Sequence, residues 1–125
     1  MASPESVAAL LSRAEDCLRT AEEILEKDDG RTGVIAYHIT QYVEKTIKFK
    51  LIELDITFPR THDIEKLLKL FPDEALSKRQ AWHAAVLHSF ESIRRHDEMP
   101  PTLKDVKFGL ICAKNIVAEV SEIKP

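Results

Sequence analysis

This sequence is poor in glycine, cysteine and aromatic residues: three Gly, two Cys and one Trp occur in 125 residues, and aromatics make up 6%. Together with abundant Leu, Ile, Ala, Glu and Lys, these shortages point away from strands, because unbranched side chains lose little rotamer freedom on a helix. Cys17 and Cys112 lie far apart without CxxC spacing, which reads as two small buried thiols in a reducing compartment rather than a disulfide or redox pair. Positive charge is not in surplus either. A net charge of −3 and a pI near 6.0 exclude a general DNA-coating protein, whose affinity comes from many uncompensated Lys and Arg. Any polyanion site must therefore be local. No window approaches the roughly 20 apolar residues of a membrane span, and the start MASPESVAAL lacks a basic leader and a long apolar run. The expectation is a cytoplasmic protein without membrane attachment. HExxH, GxxxxGK[ST], GxSxG and GxGxxG are all missing, which removes most of the weight from hydrolase and P-loop readings.

The chain is nonetheless built to fold. Hydrophobic residues make up 44% and charged residues 31%, enough for one core, and the length fits one domain over residues 1–125. Ser3 as N-cap and Pro4 in the first turn open a first helix running to about Lys27. Its core face carries Val7, Leu10, Leu11, Ala14, Cys17, Leu18, Ala21, Ile24 and Leu25. Asp28, Asp29 and Gly30 supply the stop. A second helix, from about Gly33 to Leu54, has one stripe of Ile35, Ile39, Val43, Ile47, Leu51 and Leu54, with Tyr42 beside it. After Thr57, Phe58 and Pro59, Thr61 caps a short helix holding Ile64, Leu67, Leu68 and Leu70, and Pro72 ends it. The fourth helix is expected over about Asp73 to Arg95, with Leu76, Trp82, Val86, Phe90 and Ile93 as core contacts. Pro100 and Pro101 forbid its continuation. Thr102 and Asp105 form a capping-box-like start for the last helix, whose seam is Leu103, Val106, Leu110, Ala113, Val117 and Val120. Four long amphipathic segments and one short one predict an all-α fold, an antiparallel up-and-down four-helix bundle with an additional short helix. Ile116, Ile123 and Trp82 flank these seams and leave apolar surface for a second subunit, which suggests a homodimer.

Charge is unevenly distributed. Up to Asp29 there are three basic residues against eight acidic, whereas from Gly30 to Lys69 seven basic residues face five acidic. Within the second segment His38, Gln41, Glu44, Lys45 and Lys48 recur at three- and four-residue steps and so share one surface of the second helix. One reading is a solvated face with an ordinary Glu44–Lys48 pair; the other is a ridge offering donors and positive charge to phosphate or RNA. Arg94, Arg95 and His96 end the fourth helix, where cations favour the helix dipole, but Arg also suits bidentate phosphate binding and His titrates near neutral pH. His62 either fixes its own turn by a hydrogen bond or acts in chemistry. For metal binding, His83 and His88 are five apart and share a face poorly, and His62 beside Asp63 lacks further ligands in sequence, so neither a metal nor a cofactor is expected.

The segment YHITQYVEKTIKFKLIELDITFPRTHDIEKLLKLFP resembles the core of the HEPN family, in which a helix reading Q-x-x-E-K-x-x-K precedes a loop and a short H-D-[LI]-x-x-L-L helix. Here the matching positions are Gln41, Glu44, Lys45 and Lys48, then His62, Asp63, Ile64, Leu67 and Leu68. The resemblance implies a four-helix bundle with an added short helix, often dimeric, encoded in toxin–antitoxin or minimal-nucleotidyltransferase operons. It further implies nucleotide or RNA binding, or metal-independent ribonuclease activity. The ribonuclease form carries Arg and His four to six residues apart near the end of the helix before the last, with Arg placing phosphate and His moving a proton. In this chain Arg94 and Arg95 stand where that arginine would be, but His96 is immediately adjacent and no histidine follows. The spacing from Arg31 to His38 falls at the start of the second helix, outside the family's position. The reading that results is a noncatalytic module that binds nucleotide or RNA through His38, Gln41, Lys45, Lys48, Arg94 and Arg95 and acts with a partner such as a nucleotidyltransferase. The alternative is a metal-independent ribonuclease toxin using Arg94, Arg95 and His96.

Overall fold

The computed structural model describes the backbone of residues 4–27, 30–96 and 100–124, and the side chains of residues 6–27, 30–90 and 100–124. Among these residues there are five helices and no strand: α1 (Pro4–Lys27), α2 (Thr32–Glu53), α3 (Ile64–Leu68), α4 (Arg79–His96) and α5 (Leu103–Glu122). The expected cap at Ser3, the stop at Asp28 and Asp29 and most of the loop before Pro100 lie outside the described residues.

The hub is α2, which lies against α1, α3, α4 and α5. Near its end Lys50 Nζ donates to the Ile123 carbonyl just past α5, at 2.8 Å, so α2 and α5 run in the same direction. At the start of α4, Gln80 meets Asn115 late in α5, so these two are antiparallel. Successive long helices therefore alternate in direction, with the parallel α2–α5 pair in the middle, α1 covering α2 and α4 covering α5. The core is where the α2 stripe predicts it: Ile35, Ile39, Val43, Ile47 and Leu51 are buried against Val106, Leu110, Ala113 and Val120 of α5 and against Ala14, Ala21 and Ile24 of α1. Among described residues the α1 backbone packs closely along α2 alone, and α5 reaches it through the Lys114–Glu22 pair; for that reason much of its apolar face, including Leu10, Leu11, Leu18 and Leu25, stays half-buried.

Local signals account for the ends. Asp55 follows α2 with φ of 63°, and the Ile56 and Asp55 N–H groups donate back to the Leu51 and Ile52 carbonyls at 2.8 and 3.0 Å. This is a Schellman stop with aspartate at the left-handed position usually held by glycine. The capping box on α5 is present in full, with Thr102 and Asp105 exchanging side-chain-to-backbone bonds.

Three expectations need correction. The cap of α3 is Asp63, which accepts from the Lys66 N–H; Thr61 accepts from the Asp63 N–H one step earlier and so shapes the approach. Next, α4 begins at Arg79 rather than Asp73, because Pro72 accepts in a turn from Ala75 and the Ser77 backbone and hydroxyl are both given to Glu119 of α5, at 2.7 Å each. Finally, the inward face of α4 is Gln80, His83, Ala84, Leu87 and Phe90. Trp82 is 57% exposed and Val86 only half-buried, while the Ile93 side chain lies outside the described residues. Polar side chains can turn inward here because they are paired: His83 Nδ1 lies 2.9 Å from Gln80 Oε1, and Gln80 Nε2 donates to Asn115 and Glu119. On α5, Leu103 is likewise at the surface and Ile116 is buried. Where α4 crosses α5, Gly109 leaves room for Phe90, whose ring would meet a Cβ at 2.5 Å.

Candidate functional site

The two halves of the sequence motif meet in space. Glu44, on the flank of α2, is buried, with a side chain only 6% exposed, and it is held from two sides. Lys48 Nζ donates to it at 3.0 Å from the next turn. His62 Nδ1, brought over by the 54–63 connection, lies 3.0 Å from both carboxylate oxygens. An ionised carboxylate can only accept, so Nδ1 carries the proton and Nε2 is turned outward. The ring is fixed at one edge and open at the other, with 76% of the side chain exposed. His62 thus ties its loop to a residue 18 positions earlier rather than fixing its own turn.

Beside this pair is a cleft of about 370 Å³ lined by Thr40 of α2, Thr61, His62, Asp63, Ile64 and Lys66 of the short-helix turn, and Leu87 and His88 of α4. A lysine, two imidazoles and the Thr61 hydroxyl supply donors over an apolar floor, with the Asp63 carboxylate among them. Thr40 gives its hydroxyl to the Tyr37 carbonyl, so toward a ligand it is chiefly an acceptor.

The polar residues expected to form the α2 ridge have separate partners. Lys45 Nζ donates to Gln41 Oε1 at 2.6 Å, a neutral partner that leaves the ammonium charge uncompensated, whereas Lys48 is neutralised by Glu44. His38 is half-buried on the side toward α1. Its Nδ1 has no hydrogen-bond partner among the described residues, and burial, then Lys45, push its pKa down. The side chains of Arg94, Arg95 and His96 lie outside the described residues, but the course of α4 fixes their level. Thr40 and Leu87 face the same cleft, and because α2 and α4 are antiparallel, Lys48 and Arg95 lie eight residues away in opposite directions. At 1.5 Å per residue their backbones are about 24 Å apart along the bundle. One phosphate cannot bridge them.

Thr40, Lys66 and His88 went unnoticed in the sequence as site residues, since only the packing of α4 and the short-helix turn on α2 assembles them. Among the described residues no group of three or more His, Cys, Asp or Glu side chains converges as a metal-ligand set; His83 is engaged with Gln80. Both Cys17 and Cys112 are free thiols whose pKa is raised by burial, the opposite of an activated nucleophile. No helix among the described residues is long and apolar enough to cross a membrane.

A helical bundle with these motifs joined across α2 and α3 defines a HEPN-type domain. The HEPN domain family model matches residues 7–123, and the chain belongs to that family. Two solved structures share the fold. The crystal structure of TT1696 from Thermus thermophilus is 22% identical, with 93% of this chain and 96% of that one covered and a TM-score of 0.78. ST0689, an archaeal HEPN homologue, is 21% identical over 92% of this chain and 94% of its own, with a TM-score of 0.73. No curated protein matches the sequence.

Proposed function

We propose that this HEPN domain is a noncatalytic nucleotide- or RNA-binding module that works with a partner protein, and that the cleft beside Glu44 and His62 is where phosphate is met. The observation that carries this reading is the buried Glu44 carboxylate, which holds His62 at the edge of a cleft that also offers Lys66 and His88 and fixes Lys48 on the same carboxylate beside it. Donors already held in place lose little freedom on binding. Because the chain is acidic overall, affinity depends on this local set rather than on bulk charge. Family resemblance supplies the partner class, a nucleotidyltransferase, and a homodimer as the assembly.

The wide separation of Lys48 and Arg95 favours an extended strand over a mononucleotide, since only a strand reaches both. The test is binding of ATP and of oligouridylate to the wild type and to Lys48→Ala, Lys66→Ala and Arg95→Ala. Each substitution is expected to weaken oligouridylate binding and to lower its salt dependence by about one phosphate contact, while ATP responds to one end of the cleft only. Unchanged affinity in all three variants would remove the reading. A second reading, ribonuclease action, is favoured by one feature: an imidazole backed by a carboxylate lines the same cleft as a second imidazole, a pairing of groups suited to proton transfer. RNA degradation in the presence of EDTA that disappears in His62→Ala would establish it, and intact RNA would rule it out.

A further inference from the structure

On the opposite flank of α4, the outward surface shared with α5 carries large apolar side chains that no element among the described residues covers. Ile111 is 62% exposed, Trp82 57% and Phe108 41%. The Trp82 and Phe108 rings touch edge to face, with centroids 5.6 Å apart and planes at 70°. Exposed Ala118, two turns along α5 from Ile111, lies on the same side. Trp82 is not a core residue out of register, because the inward face of α4 is already filled and hydrogen-bonded. Single exposed apolar residues are ordinary, but a contiguous aromatic and aliphatic patch marks a contact surface. Its edge is basic: Lys104, Lys107 and Lys114 share the outward side of α5 with Ile111 by helical spacing. All three are exposed, and Lys114 reaches Glu22 of α1 at 3.0 Å.

Charge and side-chain type select the occupant. A second copy placed across a two-fold axis would bring the same lysines face to face. A single-stranded nucleic acid would satisfy the lysines, but the most exposed element of the patch is aliphatic Ile111, which offers a base no ring to stack on. We infer that this face docks an acidic amphipathic helix of a partner protein, with apolar side chains at helical spacing against Trp82, Phe108 and Ile111 and carboxylates facing Lys104 and Lys107. The inference gives chemistry to the partner invoked above and uses no residue of the cleft, so either can fail alone.

Trp82 is the sole tryptophan of the chain, and its fluorescence therefore reports directly on whether the patch becomes covered. The probe is a synthetic helical peptide with leucine on one face and glutamate on the other, titrated into the full-length protein. The expected result is a saturable blue shift that weakens with salt, is absent for the same peptide with lysine in place of glutamate, and requires at least about tenfold more peptide in Ile111→Glu, as for loss of a central anchor. The double variant Lys104→Glu, Lys107→Glu is expected to reverse the preference toward the lysine peptide, and it keeps the test open should Ile111→Glu lose helicity by circular dichroism. ATP binding is unchanged in these variants. Three outcomes would overturn the inference: no shift, or an equal shift with both peptides; a blue shift on concentrating the protein alone, which assigns the face to a second copy; or a response to oligouridylate without one to the peptide, which assigns it to nucleic acid.

Discussion

Helices α2 and α4 carry apolar residues at the same spacing, yet only α2 obeys the pattern. On α2, Ile35, Ile39, Val43, Ile47 and Leu51 are all buried. On α4 the largest apolar side chain, Trp82, faces out while Gln80 and His83 face in. The difference follows from position. As the hub, α2 has neighbours on several sides, so almost any apolar side chain on it finds cover. By contrast, α4 lies at the margin over α5, and its inner face is organised by the Glu119 carboxylate, which gathers Ser77, Arg79 and Gln80. A polar residue with its hydrogen bonds satisfied costs little to bury, and the ring of Phe90 over Gly109 supplies the close packing beside it. Hydrophobic periodicity locates a helix reliably where burial is its only task, and misplaces the face where buried polar groups are satisfied by a distant element.

The largest test of this contrast lies within α4. Leu87→Ala empties a fully buried site and is expected to cost about 3 kcal/mol in urea unfolding, whereas Trp82→Ala, at the surface, should cost under about 1 kcal/mol. The reverse order would restore the face that the sequence predicts. Next is Gly109→Ala. Alanine favours helix, but its Cβ would collide with the Phe90 ring, and because that ring is itself buried, net destabilisation of about 2 kcal/mol is expected. Phe90→Leu in the same chain should recover part of the loss, a recovery that a purely backbone effect would not show.

The extent to which the molecule was legible in its sequence divides along the same line. The α2 stripe and the α5 capping box were readable because each is a local rule satisfied within a few residues. The start of α4 was placed six residues early, since Ser77 is claimed by Glu119, a residue 42 positions on. In the site, the ridge of His38, Gln41, Lys45 and Lys48 followed from helical period alone. The burial of Glu44 did not, because Glu44 and Lys48 at i,i+4 look like any solvated pair until His62 is carried over them. Thr40, Lys66 and His88 become neighbours only through tertiary packing, and no local spacing announces them.

Two intermediate effects probe the paired polar groups on each side of the comparison. On α2, Glu44→Ala releases Lys48 and His62 together; both can return to water, so the cost is about 1.5 kcal/mol, smaller than for a fully buried ion pair. Hydrogen exchange should report faster opening of residues 56–63 than of α2 itself. On the α4 side the readout is pH. Burial pushes the Glu119 carboxyl up, but hydrogen bonds from Ser77, Gln80 and Arg79 outweigh it and bring the pKa from 4.5 down to about 2. The folded state therefore holds this proton less tightly than the unfolded chain, and the stabilisation is present above pH 4.5 and lost as pH falls toward 2. His83 shifts downward through burial and then Arg79; its contribution is full above its ordinary 6.5 and declines as pH drops below that, because the unfolded chain takes up the proton first. In Glu119→Gln the acid-side decline between pH 4.5 and 2 should flatten, while the step attributable to His83 should deepen, because the Glu119 charge opposes its downward shift.

The smallest effect concerns the exit from α2, and it has the opposite sign. Asp55 occupies the left-handed position of the Schellman stop at φ of 63°, where a Cβ is disfavoured. Asp55→Gly relieves that strain but gives the unfolded chain more freedom. At a left-handed position the first term dominates, so a net gain of about 0.5 kcal/mol is expected, with Asp55→Ala losing stability instead. The bonds from Ile56 and Asp55 to the Leu51 and Ile52 carbonyls also set the direction in which the chain leaves toward His62. Stabilisation by glycine with His62 still seated on Glu44 would show that the stop serves only the fold. Stabilisation with a loosened His62, seen as line broadening of its imidazole resonances, would show that the strained aspartate helps hold the connection over the cleft, and would extend the ordered part of the site from α2 into the loop that follows it.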